Sequence, residues 1–112
     1  SPYISQALVV GDRRPYLVAL VTLDRDEVLA WARREAIDVS PEALHDHPRV
    51  QALVQEVVDR ANRDRARFEQ IKRFAILPRD FALEEGEVTP TLKLRRRICE
   101  ERFRAEIEAL YR

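Results

Sequence analysis

Residues 16–23 read Tyr-Leu-Val-Ala-Leu-Val-Thr-Leu, an apolar run rich in β-branched residues. A strand with one face in water alternates apolar and polar side chains; one that stays apolar throughout is covered on both faces. This requirement constrains the chain more than any other feature, because it calls for a layer of structure on each side of a single strand. Residues 6–11, Gln-Ala-Leu-Val-Val-Gly, supply a second short strand. Between them lies Gly11-Asp12-Arg13-Arg14-Pro15, polar, with glycine first and proline last, which predicts a hairpin with a five-residue loop.

The rest of the pattern is mostly helical. Asp24 and Glu27 have the spacing of a capping box, with aspartate in place of Ser or Thr. Val28, Leu29, Ala32 and Ala36 follow on one face, with Trp31 at its edge. Ser40-Pro41-Glu42 predicts a second, short helix. His47-Pro48 opens the most regular helix, expected over 48–67, in which Val50, Leu53, Val54, Val57, Val58 and Ala61 oppose a charged face. Residues 71–77 predict a third strand ended by Pro78, and residues 81–83 a further short one. Residues 84–91 hold glycine and proline without helical period and predict a loop. A last helix is expected over 94–111, with Cys99, Phe103, Ile107 and Leu110 as its apolar stripe. With 112 residues the chain is one domain, able to bury roughly 65% of the surface its unfolded form exposes. The order β-β-α-α-β-loop-α indicates an α+β fold, a small sheet (the hairpin plus further strands) packed with about three helices.

Composition excludes several function classes. Lys plus Arg is 20 and Asp plus Glu is 20, so the net charge is zero. That balance argues against wholesale electrostatic binding of nucleic acid or acidic membrane and leaves only local basic patches. No apolar run approaches the ~18 residues of a membrane span, and no segment has the pattern of a signal peptide. Cys99 is the single cysteine, which rules out an internal disulfide framework and a cysteine-based zinc site. A reducing, cytoplasmic setting is the corresponding expectation. The chain has no methionine, and Ser1-Pro2 leads straight into apolar pattern, which reads as a piece of a longer polypeptide. Lysine occurs only at Lys72 and Lys93, every other cation being arginine. In such a chain a lysine marks a place that needs a compact point charge in place of a planar fork.

Lys93 lies in the most informative segment, Thr89-Pro90-Thr91-Leu92-Lys93-Leu94-Arg95-Arg96-Arg97. Helix N-termini favour negative side chains, because the dipole places about half a positive charge there. Here Lys93, Arg95, Arg96 and Arg97 crowd that end instead. Two readings follow. Either the segment is a solvated basic turn paired with Glu84, Glu85, Glu100 and Glu101, or the loop presents its cations to an anion that the free backbone amides also attract.

The same segment resembles the carboxy-terminal lysine motif of the adenylate-forming enzymes, specifically the long-chain fatty acid–CoA ligases (acyl-CoA synthetases). Their small carboxy-terminal domain carries a Thr-Pro-Thr-Leu-Lys stretch, a basic helix start and a helix finishing in tyrosine, matched here by residues 89–96 and Tyr111. The opening is similar too, Ser1-Pro2-Tyr3-Ile4 followed by Gln6-Ala7-Leu8-Val9-Val10-Gly11-Asp12 and Arg14-Pro15-Tyr16-Leu17. So is Phe68-Glu69-Gln70-Ile71-Lys72-Arg73-Phe74. More distant members carry glycine before the lysine, where this chain has Leu92.

The resemblance implies the fold of that carboxy-terminal domain and a parent AMP-binding ligase of fatty acid metabolism. ATP and a fatty acid first give an acyl-adenylate and pyrophosphate, and CoA then takes the acyl group. Residues 1–112 would be a single lid domain, the carboxy-terminal part of a two-domain enzyme, which rotates between the steps. ATP, Mg2+ and the acyl chain would be held by the amino-terminal domain of the same polypeptide and CoA by the parent, with none bound by this fragment alone. Lys93 would be the catalytic residue of adenylation, and Thr91, with Pro90, would shape the nucleotide-facing loop. Lys72, on the third strand, would contact a CoA phosphate. The fragment by itself is expected to be inactive, and the parent to lack a transmembrane segment, which leaves room for peripheral membrane association.

The other candidates have plainer readings. His45-Asp46-His47 has no third ligand at suitable spacing and reads as a polar connection. Cys99 reads as a small buried hydrophobe. Arg60, Arg63, Arg65 and Arg67 read as a solvated face, and Trp31 as packing at a helix rim. Asp12, Arg13 and Arg14 read as an exposed hairpin tip able to touch a large domain. A non-enzymatic alternative stays open: a free-standing α+β interaction module whose basic helix start binds an acidic or phosphorylated partner.

Overall fold

A computed structural model describes residues 1–112. The central strand is β2 (Leu17–Leu23), flanked by β1 (Ile4–Val10) and β3 (Ile71–Ile76) in the order β1-β2-β3. β1 pairs antiparallel with β2, Leu8 opposite Leu20, through the expected hairpin. β3 pairs parallel with β2, Leu20 opposite Ala75, so a long crossover must separate them. That crossover contains α1 (Arg25–Arg34), a 3-10 helix over Pro41–Asp46 and α2 (Pro48–Asn62). α3 (Arg96–Arg102) and α4 (Arg104–Leu110) close the chain. The α+β architecture is the one expected.

The two-sided burial of β2 organises the molecule. Its side chains alternate between two cores. Val18 and Leu20 join Leu8, Leu77, Phe81, Val88, Cys99, Phe103 and Ile107 on one face. Ala19, Val21 and Leu23 join Val28, Leu44, Val50, Val54 and Val58 on the other. α1 and α2 therefore cover one side, and α3, α4 and the loop before them cover the other.

The helix starts follow their signals. Asp24 Oδ1 accepts from the Glu27 amide at 3.2 Å. The reciprocal half of the box is absent, because the Asp24 amide donates to Tyr3 O at 2.9 Å. His47 caps α2, its Nδ1 accepting from the Arg49 amide at 3.1 Å with Pro48 in the first turn. Trp31 is half-buried and meets Tyr3 edge-on, ring centroids 6.4 Å apart.

α1 stops at Arg34, leaving Ala36 outside the helix at φ +54°, and three further features differ from expectation. α2 stops at Asn62, not Arg67: beyond Ala61 no apolar residue extends the stripe, and the Asn62 side chain bonds both the amide and the carbonyl of Ile71, each at 2.9 Å. Residues 81–83 form no strand. Side chains take the place of a ladder partner, Gln6 Oε1 accepting from the Phe81 amide at 2.8 Å and Glu87 Oε1 from the Ala82 amide at 2.9 Å. The last helix begins at Arg96, because Leu94 pairs with Val88 in an isolated bridge, and it breaks at Phe103 (φ −108°, ψ 27°). The helical content is thus two longer and two seven-residue α-helices with 3-10 segments, in place of about three helices.

Candidate functional site

Val88 and Leu94 clamp the two legs of a tight turn that carries Lys93. The Thr89 amide donates to Lys93 O at 2.8 Å, and the Leu92 amide to Thr89 O at 2.8 Å. Thr89 Oγ1 accepts from the Lys93 amide at 3.1 Å and lies 3.1 Å from Thr91 Oγ1. Leu92 adopts φ +66°, the left-handed region that suits glycine, which is the residue more distant members of the resembled family place there. Its side chain is 70% exposed, so no core contact compensates for that conformation.

Lys93 is exposed and forms no ion pair. The cations after it fare differently. Arg96 donates to Val9 O at 2.5 Å, and Arg97 meets Glu101 at 3.6 Å. Glu85 pairs with Arg102 rather than with the basic turn. The groove beside α3 mixes signs, being lined by Asp12, Arg14, Arg96, Glu100 and Glu108 among others, so it is not a uniform anion site.

Beneath the turn sits Glu87, the only charged side chain with no exposed surface. Its carboxylate accepts from Arg79 Nη1 and Nη2 at 2.7 and 3.0 Å, from Arg102 Nε at 3.1 Å, and from the Ala82 amide. Hydrogen bonding from Arg79 holds its pKa below the ordinary 4.5 against the opposing effect of burial, helped by the Ala82 amide and the charge of Arg102. Glu87 was not among the candidate residues. In a run that also holds Glu84 and Glu85, nothing local marks it as the buried one. Burial, and then the charge of Glu87, push the Cys99 thiol up; it donates to Glu87 O at 3.3 Å and is an inert, buried group.

The depressed Glu87 pKa sets a pH dependence. Stabilisation from a carboxylate whose folded pKa is lowered is fully present above the unfolded value near 4.5 and is lost as pH falls through the folded value. Urea unfolding of the wild type and Glu87→Gln is expected to show a stability gap at pH 7 that narrows steadily below pH ~4.5. A gap independent of pH would mean that the Glu87 pKa is the same in the folded and unfolded chain, contrary to a carboxylate held by Arg79.

The turn brings Thr91 and Lys93 together. Lys72 lies apart, exposed on the edge strand β3, next to Arg73, which donates to the carbonyls of Leu110 and Arg112 at the carboxy terminus. Arg14 is not a free hairpin tip. It pairs with Glu108, and its guanidinium lies 4.5 Å from the Tyr111 ring centroid. Tyr111 in turn donates to Val10 O and Tyr16 O at 3.2 and 2.9 Å, fastening the end of the chain to the hairpin. His45 and His47 serve a local pair with Asp46 and the α2 cap. No group of three or more His, Cys, Asp or Glu side chains is placed to hold a metal ion. No helix is long and apolar enough to cross a membrane.

Comparison with known proteins bears on this geometry. Long-chain-fatty-acid–CoA ligase FadD15 of Mycobacterium tuberculosis is 39% identical over 112 residues, covering 98% of this chain and 19% of that protein. Human long-chain-fatty-acid–CoA ligase 1 is 30% identical over 111 residues, covering 96% of this chain and 16% of that protein. The chain thus spans less than a fifth of these relatives. Among solved structures, the A-PCP didomain of carboxylic acid reductase from Segniliparus rugosus, in complex with AMP, superposes with a TM-score of 0.73 at 23% identity, over 99% of this chain and 14% of that one; this likeness concerns the fold. The family of AMP-binding enzyme C-terminal domains matches residues 1–112, and the chain belongs to it.

Proposed function

We propose that residues 1–112 are the carboxy-terminal lid of a long-chain fatty acid–CoA ligase, and that Lys93 serves its adenylation half-reaction. The observation that carries this reading is an exposed, unpaired ammonium at the end of a turn whose two legs are fixed to the domain. As a fatty carboxylate attacks the α-phosphate of ATP, negative charge builds on the phosphoryl oxygens and pyrophosphate leaves. A preorganised ammonium stabilises that charge more than it stabilises the separated reactants. No proton transfer is required, so Lys93 acts as a permanent cation. Lying on the surface, it acts only where another surface brings the nucleotide to it. That surface is the amino-terminal domain, which would hold ATP, Mg2+ and the acyl chain.

Thr91 contributes by shaping the turn through its hydroxyl contact with Thr89. Lys72 is exposed on β3, a separate element from the turn, which fits a contact made in a different lid orientation, with a phosphate of CoA during thioester formation. The full-length polypeptide is expected to release AMP from ATP in the presence of a long-chain fatty acid and to form acyl-CoA when CoA is added, whereas the 112-residue domain alone does neither. Fatty-acid-dependent AMP release by the isolated domain would overturn this assignment.

A further inference from the structure

Glu87 is more than the chain's one buried charge. Its carboxylate ties down Arg79, Ala82 and Arg102. Its carbonyl accepts from the Arg95 amide at 2.8 Å and from Cys99 Sγ, and its amide donates to Ala82 O at 3.1 Å. One residue therefore links the segment after β3 to the beginning, middle and end of α3. The turn bearing Lys93 starts at the next residue, Val88, and returns through Leu94 to Arg95, which is itself bonded to Glu87. Both legs of the turn are referenced to this single side chain and its backbone.

Stability alone does not account for such an arrangement. A buried carboxylate is costly to desolvate, and a well-packed apolar residue of similar volume commonly serves as well or better. What an ion pair with fixed, forked geometry adds is orientation. Arg79 holds both carboxylate oxygens at once, and Arg102 fixes one of them from α3. Within the turn Pro90, Thr91, Leu92 and Lys93 are all exposed, so its placement depends on its legs: Val88 and Leu94 packed against the core, and Glu87 beneath them.

We propose that Glu87 is a positioning residue for Lys93: its ion-paired carboxylate fixes the base of the turn, so that the ammonium reaches the adenylation site already aimed. This rests on the reading of Lys93 given above. Electrostatic stabilisation needs the charge in place before the reaction, and a misplacement of about 1 Å can cost on the order of 10²-fold in rate. Releasing the clamp should therefore weaken the step that uses Lys93 and spare the step that does not.

The experiment compares full-length wild type, Glu87→Gln, Glu87→Asp, Arg102→Met and Lys93→Ala at a temperature where each is folded by circular dichroism. Adenylate formation from ATP and fatty acid is measured separately from thioester formation from supplied acyl-adenylate and CoA. The expected result for Glu87→Gln is a fall of roughly 10- to 100-fold in the kcat of adenylation, KM for ATP changing by less than about threefold, with thioester formation unchanged. Glu87→Asp, which keeps the charge, should recover part of the loss. Arg102→Met removes one of the contacts to Glu87, together with the surface pair to Glu85, from a side chain that is 46% exposed, so it remains informative if Glu87→Gln does not fold, and should show a smaller loss confined to the same step. Equal losses in both half-reactions would mean a structural role only and overturn the proposal. So would an unimpaired Glu87→Gln beside a Lys93→Ala that has lost adenylation. Unimpaired adenylation in Lys93→Ala would overturn the reading of Lys93 itself, and this proposal with it.

Discussion

Lys93→Ala in the full-length polypeptide is expected to lower adenylate formation by about 10²- to 10³-fold, the usual consequence of removing one preorganised charge or donor from a developing anion. Thioester formation from supplied acyl-adenylate should stay within about twofold of wild type, a difference near the limit of such measurements. The split follows from placement. Lys93 sits on a surface turn, supports no core contact and has no ionic partner. Its removal leaves the fold intact, and the melting temperature of the variant should match the wild type's. Lys93→Arg is a sharper form of the same test. This chain uses arginine at nearly every cationic position, yet has lysine here. A planar fork cannot replace a compact ammonium at a site built around a point charge, so Lys93→Arg should also fail in adenylation. Equal loss in both half-reactions would indicate a docking defect, and no loss in either would leave the turn as a surface feature.

Much of this geometry was legible in the sequence because it depends on local rules. Continuous apolarity in residues 17–23 required two cores, and β2 has one on each face. Asp24 and His47-Pro48 announced helix starts through the capping chemistry of their own side chains. The segment around Lys93 stands out as a loop over 84–91 running into crowded positive charge, although its pattern places Lys93 at a helix start and the residue lies instead in a tight turn that α3 follows only from Arg96. The features that escaped are those in which a side chain satisfies a distant backbone. Residues 81–83 look like a strand by composition, but their amides are taken by Gln6 and Glu87. The start of α3 slips from Leu94 to Arg96 because Leu94 and Arg95 are drawn into the turn's closure, by Val88 and Glu87 respectively. Glu87 itself was hidden for the same reason. Its partners Arg79 and Arg102 lie eight residues before and fifteen after it, at no period that a helix or strand would betray.

Leu20→Ala should give the largest loss of stability of any change considered. Leu20 lies mid-strand in β2, fully buried, with Leu8 opposite it on β1 and Ala75 on β3. Its face of the sheet carries Val88, Cys99, Phe103 and Ile107, the layer on which the Lys93 turn rests. Truncation removes apolar atoms and leaves a cavity, costing about 3–5 kcal/mol where the walls cannot collapse. They cannot readily do so here, because both neighbouring strands are held in register by their ladders and Glu87 pins the overlying α3. For a domain of this size that loss lowers the melting temperature by roughly 12–20 °C. Thermal unfolding of the purified chain measures it, with Leu92→Ala as a control: Leu92 is 70% exposed, and its truncation should change stability by less than about 0.5 kcal/mol. A cost below about 1 kcal/mol for Leu20→Ala would mean that α3 and α4 settle inward to fill the space. The turn would then not rest on a rigid base, and a clamp at Glu87 could not aim Lys93. The stability of this face of the sheet and the reach of the ammonium are thus one problem. A cation that acts at a distance from its own core is only as well placed as the layer beneath it.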